Sequence, residues 1–155
     1  MTSLTLVRQI RARPSIVFEA LTTPEGITSW WGPDAGPVLF ADLDVRVGGR
    51  FKVRFRMLDG SEHESTGEYL EVAPHKRLVM SWQWTLGGEP DEAGNVSRLE
   101  FHLDPIDIGT QLTLTHAQLT TETSRESHGR GWTGALDKLT RRFALASAGD
   151  LDVRA

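Results

Sequence analysis

The sequence predicts an α+β fold: a curved antiparallel sheet of six or seven strands wrapped around one long C-terminal helix, with two short helices between strands 1 and 2. Two observations predict it. From about Thr123 to Ala146, at 3.6 residues per turn, His128, Trp132, Ala135, Leu136, Leu139, Phe143 and Ala146 share one face, while Arg130, Asp137, Lys138 and Arg141 lie opposite. Ahead of that helix, successive segments alternate apolar and polar residues with a period of two, the pattern of strands with one buried face. A single apolar stripe must cover something. Laid on a curved sheet, it either fills the concavity with side chains or leaves a pocket.

Each element has its own signal. Leu4, Leu6 and the run Val7 to Ile10 make the first strand, closed at Arg13-Pro14. Pro14 suits the first position of a helix, where its missing amide donor costs nothing, and Val17, Phe18 and Leu21 give that helix a short apolar face. A second short helix follows Thr23-Pro24-Glu25, with Ile27, Trp30 and Trp31 inward and Gly32-Pro33 as its stop. Phe51, Val53, Phe55 and Met57 then alternate with Lys52, Arg54 and Arg56; Asp59-Gly60 makes a hairpin turn, and Gly67 to Val72 is the return strand. Past the break at Pro74, Leu78, Met80, Trp82 and Trp84 share one face. Gly87 to Asn95 has turn chemistry throughout and reads as an exposed loop. Leu99, Phe101 and Leu103, then Leu112, Leu114 and His116, complete the alternation, and Thr123 with Glu126 forms a capping box for the last helix.

A chain of 155 residues can bury a substantial core, and one domain over 1–155 is expected, with its core at about 4–147. With 17 Lys and Arg against 21 Asp and Glu, there is no clustered positive charge to hold a nucleic-acid backbone. The row Lys52, Arg54, Arg56 reads as a solvated sheet face, balanced by acidic neighbours such as Glu71 and Glu100. Cysteine is absent, which excludes disulfides, thiolate catalysis and Cys-based zinc sites. Met1 to Gln9 holds no apolar run of signal-peptide length, and no run of about 18 apolar residues occurs anywhere, so no membrane is expected and the expected address is the cytoplasm.

Two motif readings fail. Gly129-Arg-Gly131-Trp-Thr-Gly134 matches the dinucleotide pattern, but the residues before it, Thr121 to Ser127, are polar and already begin a helix, whereas that pattern needs an apolar strand leading into the glycines. The glycines are better read as letting the helix approach the sheet or a ligand closely. The five histidines, His63, His75, His102, His116 and His128, show neither H-x-H nor H-E-x-x-H spacing, so no metal and no cofactor is expected. His63, His75 and His102 are expected at the surface.

What remains is a polar set on the inward phase. If Leu70 and Val72 face in, so does Glu68; if Leu112 and Leu114 face in, so does His116; the helix stripe adds His128. With Phe55, Trp82, Trp84, Phe101 and Trp132 these make apolar walls with few polar groups, the usual composition of a ligand pocket. On this reading both histidines are functional. His116→Phe or His128→Leu should then spare stability and cost binding, because each removes a polar group that an apolar interior satisfies poorly.

The strings Pro14 to Pro24 (PSIVFEALTTP), Trp30-Trp31-Gly32-Pro33, Val47-Gly48-Gly49-Arg50-Phe51, Gly67 to Val72 (GEYLEV), Leu112 to His116 (LTLTH), and His128 with Gly131-Trp132 resemble the START-like or Bet v 1-like (SRPBCC) superfamily. Within it they are similar to the branch named for the Hsp90 ATPase activator homologue, made mostly of bacterial proteins. The resemblance runs from about Leu4 to Phe143. It implies the helix-grip fold and a cavity entrance near Trp30 and Trp31; being adjacent, these two are not expected to point the same way, so one packs inward while the other lines the mouth or the surface. The expected ligand-binding residues are then Trp31, Phe55, Glu68, Trp82, Trp84, Phe101, His116, His128 and Trp132, and the expected partner is a small apolar or aromatic molecule, with a homodimer left open. The resemblance also carries two alternatives. One is a polyketide cyclase-like enzyme with His116 or His128 as general base and Glu68 as orienting acid, since an imidazole of pKa about 6.5 suits that work. The other is a module stimulating an Hsp90-type ATPase, although the additional N-terminal domain of the eukaryotic activators is not expected here.

Overall fold

Alternation becomes burial where it is strictest. In strand β3 (Arg50–Arg56), Phe51, Val53 and Phe55 are buried beneath a solvated row of Lys52, Arg54 and Arg56. The computed structural model describes the backbone of residues 1–154 and the side chains of residues 1–144. Its elements are β1 (Thr2–Ile10), α1 (Pro14–Thr22), α2 (Pro24–Thr28), β2 (Val38–Leu43), β3, β4 (Glu62–Ala73), β5 (Arg77–Leu86), β6 (Ser97–Ile106), β7 (Gly109–Leu119) and α3 (Glu122–Arg154). The strands form one curved, seven-stranded antiparallel sheet in the order β1-β7-β6-β5-β4-β3-β2, so the chain meanders from β2 to β7 and β1 closes against the last strand. This is the predicted helix-grip architecture. Leu99, Phe101, Leu112 and Leu114 from the sheet, with Leu136 and Leu139 from α3, are almost wholly buried and form the centre of the core.

Several local expectations are corrected. Strand β2 is an edge strand whose Leu39 and Phe40 stay 37% and 36% exposed, and a register shift between Val38 and Phe40 erases the alternation that would have announced it. Trp30 and Trp31 both point inward, at 0% and 4% exposure, because they lie beyond the end of α2 where the chain is no longer helical. The Trp30 indole donates to the Ala20 carbonyl at 2.8 Å. The last helix is capped by Thr121, not Thr123: its hydroxyl accepts from the Ser124 amide at 3.1 Å. The acidic partners of the basic row are also different. Arg54 and Arg56 meet Glu62, whereas Glu71 and Glu100 engage Arg77, and Glu100 also Arg98. The stripe residue Ala146 lies outside the described side chains.

The largest correction is the phase of β4. Ser65, Gly67 and Tyr69 face the interior, and Leu70 is 40% exposed. Glu68, which shares Leu70's phase, therefore points away from the interior, with its backbone amide held by the Ser81 hydroxyl at 2.9 Å. A register shift between Tyr69 and Glu71 then resets the strand, which is how Val72 returns to the core.

Helix α3 is fastened to the segment after α2 at three points, Gly134, Lys138 and Arg142, whose guanidinium donates to the Ser29 hydroxyl at 2.6 Å. Gly134 lies directly beneath the Pro33 carbonyl, where any Cβ would collide with backbone. One turn on, the Lys138 ammonium, read from sequence as lying on the outer face, reaches back to donate to the carbonyls of Trp31 at 3.0 Å and Asp34 at 2.6 Å. The close approach that the glycines permit is therefore to this loop. A Cβ at Gly129 or Gly131 would meet nothing nearer than 3.9 Å.

Candidate functional site

Between α3 and the β3–β5 end of the sheet lies a cavity of about 320 Å³. Its walls come from four places. Strand alternation brings in Phe55, Trp82 and Trp84; the turn after α2 brings Trp31, Gly32 and Pro33; α3 contributes Ser127, His128, Arg130, Gly131, Trp132 and Ala135; and the loop after β5 contributes Gly88 and Glu89. The rings form one continuous cluster. Trp31 stacks on Trp82 at 5.6 Å, Trp132 meets both edge-on at 5.3 Å, and Trp84 stacks on His128 at 5.7 Å.

The loop after β5 is exposed over most of its length, as its composition predicts, but one of its residues turns into the protein. Gly88 adopts φ +85 with its α-carbon against Trp84, where a Cβ would come within 2.6 Å of the indole. A single 3-10 turn, Pro90–Glu92, then turns Glu92 inward to 5% exposure. The loop is tied down by the Thr121 hydroxyl donating to Asp91 at 2.5 Å and the Asn95 amide donating to the Gln118 carbonyl at 3.1 Å.

Glu92 is the buried acid behind the cavity wall that the sequence reading misses. Its Oε2 accepts from His128 Nε2 at 2.6 Å and from Trp84 Nε1 at 3.1 Å, while Oε1 accepts from the Glu89 amide at 3.1 Å. The 3.4 Å approach of Trp84 Nε1 to His128 Nε2 is the convergence of two donors on one oxygen. Burial alone pushes the Glu92 carboxyl up, but the hydrogen bond and charge of His128, with the donors from Glu89 and Trp84, outweigh it and hold the group below its ordinary range. The signal available in sequence is the Glu89-Pro90-Asp91-Glu92 string, with the spacing of a capping box and a proline at its first turn.

His116 has a different position from His128. It is fully buried and does not line the cavity. Its Nδ1 accepts from Trp132 Nε1 at 3.0 Å, so the proton is on Nε2, which donates to the Ser97 hydroxyl at 2.7 Å; Ser97 in turn donates to the Trp82 carbonyl at 3.3 Å. Burial, and after it the charge of His128 whose ring lies 4.5 Å away, keeps His116 well below the ordinary imidazole range.

The structure thus brings Trp31, Phe55, Trp82, Trp84, His128 and Trp132 together around one cavity. His116 and Phe101 stand behind that wall in the core, and Glu68 is not at the site. His63, expected at the surface, instead lines the cavity and stacks on Phe55 at 5.3 Å. Among the described residues, no group of three or more His, Asp or Glu is placed to hold a metal ion, and no helix is long and apolar enough to cross a membrane.

These shifts set a pH dependence. Both groups have folded pKa values below their unfolded ones, so on acidification the unfolded state takes up protons first and stability falls. The loss begins below the ordinary imidazole value of 6.5 on account of His116, and Glu92 adds to it below its ordinary 4.5. The urea midpoint is expected to be level above about pH 7 and to decline between about pH 6.5 and 5. A level midpoint across that interval would show that His116 protonates without resistance.

Comparison with known proteins agrees with this architecture. No curated protein matches the chain. Among solved structures, the AHSA1 protein of Silicibacter pomeroyi is 27% identical, covering 94% of this chain and 99% of its own with a TM-score of 0.81. A protein from Chromobacterium violaceum is 24% identical over 92% of this chain and 98% of its own, with a TM-score of 0.78. An AHSA1-like protein from Aeromonas hydrophila is 22% identical over 94% of each chain at a TM-score of 0.74. The last two likenesses are of fold. The family model described as Activator of Hsp90 ATPase homolog 1-like protein matches residues 11–144, which spans β3, the aromatic cluster and the described part of α3, and the chain belongs to that family.

Proposed function

We propose that the protein binds a small, largely apolar or aromatic molecule in the cavity between the sheet and α3. One observation carries this reading: an aromatic-walled space of about 320 Å³ with the imidazole of His128 in its wall, held from behind by the buried Glu92 carboxylate. Ligand sites typically run from about 300 to 1,000 Å³, lined by apolar rings with a few placed polar groups. Burying a ligand's apolar surface there yields about 25 cal/mol per Å² removed from water. His128 Nε2 is given to Glu92, which fixes the ring and leaves Nδ1 as its remaining polar atom. The same pair is arranged as a general base with an orienting carboxylate, in the role expected of Glu68. A reaction on the bound molecule is therefore the second reading, and its mark would be chemical turnover.

The test fills the cavity from its helix wall. A Cβ at Gly131 meets only Pro33 Cβ at 3.9 Å, so Gly131→Leu is accommodated at its root and projects its branched end into the space. Calorimetric titration with a neutral bicyclic probe, 2-naphthamide, is expected to show saturable binding to the parent and at least about tenfold weaker binding to Gly131→Leu. Thermal stability should hold, because leucine is the better helix former by about 1 kcal/mol. Equal binding by both proteins would remove the cavity as the site. Mass spectrometry of an extract of the purified protein would identify any molecule carried along.

A further inference from the structure

The cavity has a directional charge pattern. Its buried acid, Glu92, is turned away from the space and engaged by Trp84 and His128, so it offers nothing to a ligand. At the mouth stands Arg130, an exposed member of the lining. Elsewhere on the surface Arg8, Arg54, Arg56, Arg77, Arg98 and Arg125 are occupied by carboxylates, while Arg50 and Arg141, like Arg130, have none among the described residues but lie away from this cavity. Arg130 forms no ion pair or hydrogen bond among the described residues, although Glu89 lines the same cavity. A guanidinium is a planar fork matched to a carboxylate and remains charged at any physiological pH.

We propose that the cavity is selective for aromatic carboxylates: the ring system lies among Trp31, Phe55, Trp84 and Trp132, and the carboxylate remains at the mouth on the Arg130 guanidinium. This rests on the ligand-binding reading above and adds the class of ligand to it. The orientation follows from the desolvation cost of ions. Taking a carboxylate to the inner wall would strip its water among the ring faces, whereas at the mouth it keeps part of its hydration and gains a cation. An aromatic cage can also attract a cationic ligand through its ring faces. Here Arg130 opposes a cation at the entrance, and the buried carboxylate is already engaged.

The test compares three probes of one shape by calorimetry: 2-naphthoate, 2-naphthamide and 2-naphthylmethylammonium. The parent is expected to bind naphthoate about tenfold more tightly than naphthamide at low salt, with the ratio falling as salt rises. In Arg130→Gln the naphthoate-to-naphthamide ratio should fall to near one, and in Arg130→Lys most of it should return. Equal binding of naphthoate and naphthamide by the parent, tightest binding of the ammonium probe, or a ratio unchanged in Arg130→Gln would each overturn the carboxylate selectivity and leave the cavity reading standing. Binding of none of the three would overturn both.

Discussion

Gly134→Ala is expected to lower the melting temperature by several degrees, whereas Gly129→Ala, the same change one and a half turns earlier on the same helix, should raise it. Intrinsic propensity favours alanine over glycine at both positions by about 1 kcal/mol. The surroundings separate them. At Gly134 the new Cβ would lie 2.9 Å from the Pro33 carbonyl carbon and closer still to its oxygen, and backbone cannot rotate out of the way as a side chain can. At Gly129 the nearest atom is the tip of Leu4 at 4.0 Å. Overpacking of this kind costs about 1–3 kcal/mol and occasionally more, and about 1 kcal/mol corresponds to about 2–4 °C in a chain of this size. The displaced segment also carries Trp31, Gly32 and Pro33, so naphthamide binding should weaken with stability in Gly134→Ala and stay unchanged in Gly129→Ala. Equal melting temperatures for the two variants would mean that the Pro33 loop yields freely and that the contact is not a constraint.

His116→Phe is expected to destabilise, which reverses what the sequence pattern alone implies for this residue. Phenylalanine fills a similar volume, so the cost is not a cavity. It comes from the partners left behind: the Trp132 indole loses its acceptor and the Ser97 hydroxyl loses its donor, both in buried positions. Each unmet buried group costs about 1–3 kcal/mol. The variant should also lose the decline in stability between about pH 6.5 and 5, because its proton-resisting group has gone. Denaturant titration at two pH values reads both effects. A variant as stable as the parent at neutral pH, with the acid decline intact, would place the origin of that decline elsewhere.

The architecture was legible because its signals are periodic and local. Five of the seven strands carry alternation, and the stripe of α3 correctly places His128, Trp132, Leu136 and Leu139 on one buried face. The failures occur where burial is decided by a distant partner or a single irregularity. On β4 the inward residues Ser65 and Gly67 are small or polar, so the pattern takes its phase from Leu70, and a bulge beyond Tyr69 hides the error by returning Val72 to the core. Glu92 sits in a segment with no periodicity at all. Its burial is set by donors 8 and 36 residues away in sequence, on Trp84 and His128. Alternation also cannot separate a residue that faces a cavity from one that faces the core: His116 is inward as its strand phase requires, yet Trp132 caps it from the cavity side.

All five tryptophans of the chain are buried or half-buried in one connected aromatic cluster, with neighbouring ring centroids 5.3–6.4 Å apart. The native protein therefore emits from one place. Excitation migrates among rings this close, so the ultraviolet fluorescence of the whole molecule reports the environment of Trp31, Trp82, Trp84 and Trp132, with the imidazole of His128 stacked on Trp84. Undocking of α3 from the sheet separates Trp132 from the rest, and the same emission records it. The evolved wall of the cavity is also an intrinsic optical probe, which allows entry of a molecule and opening of the fold to be followed without any label.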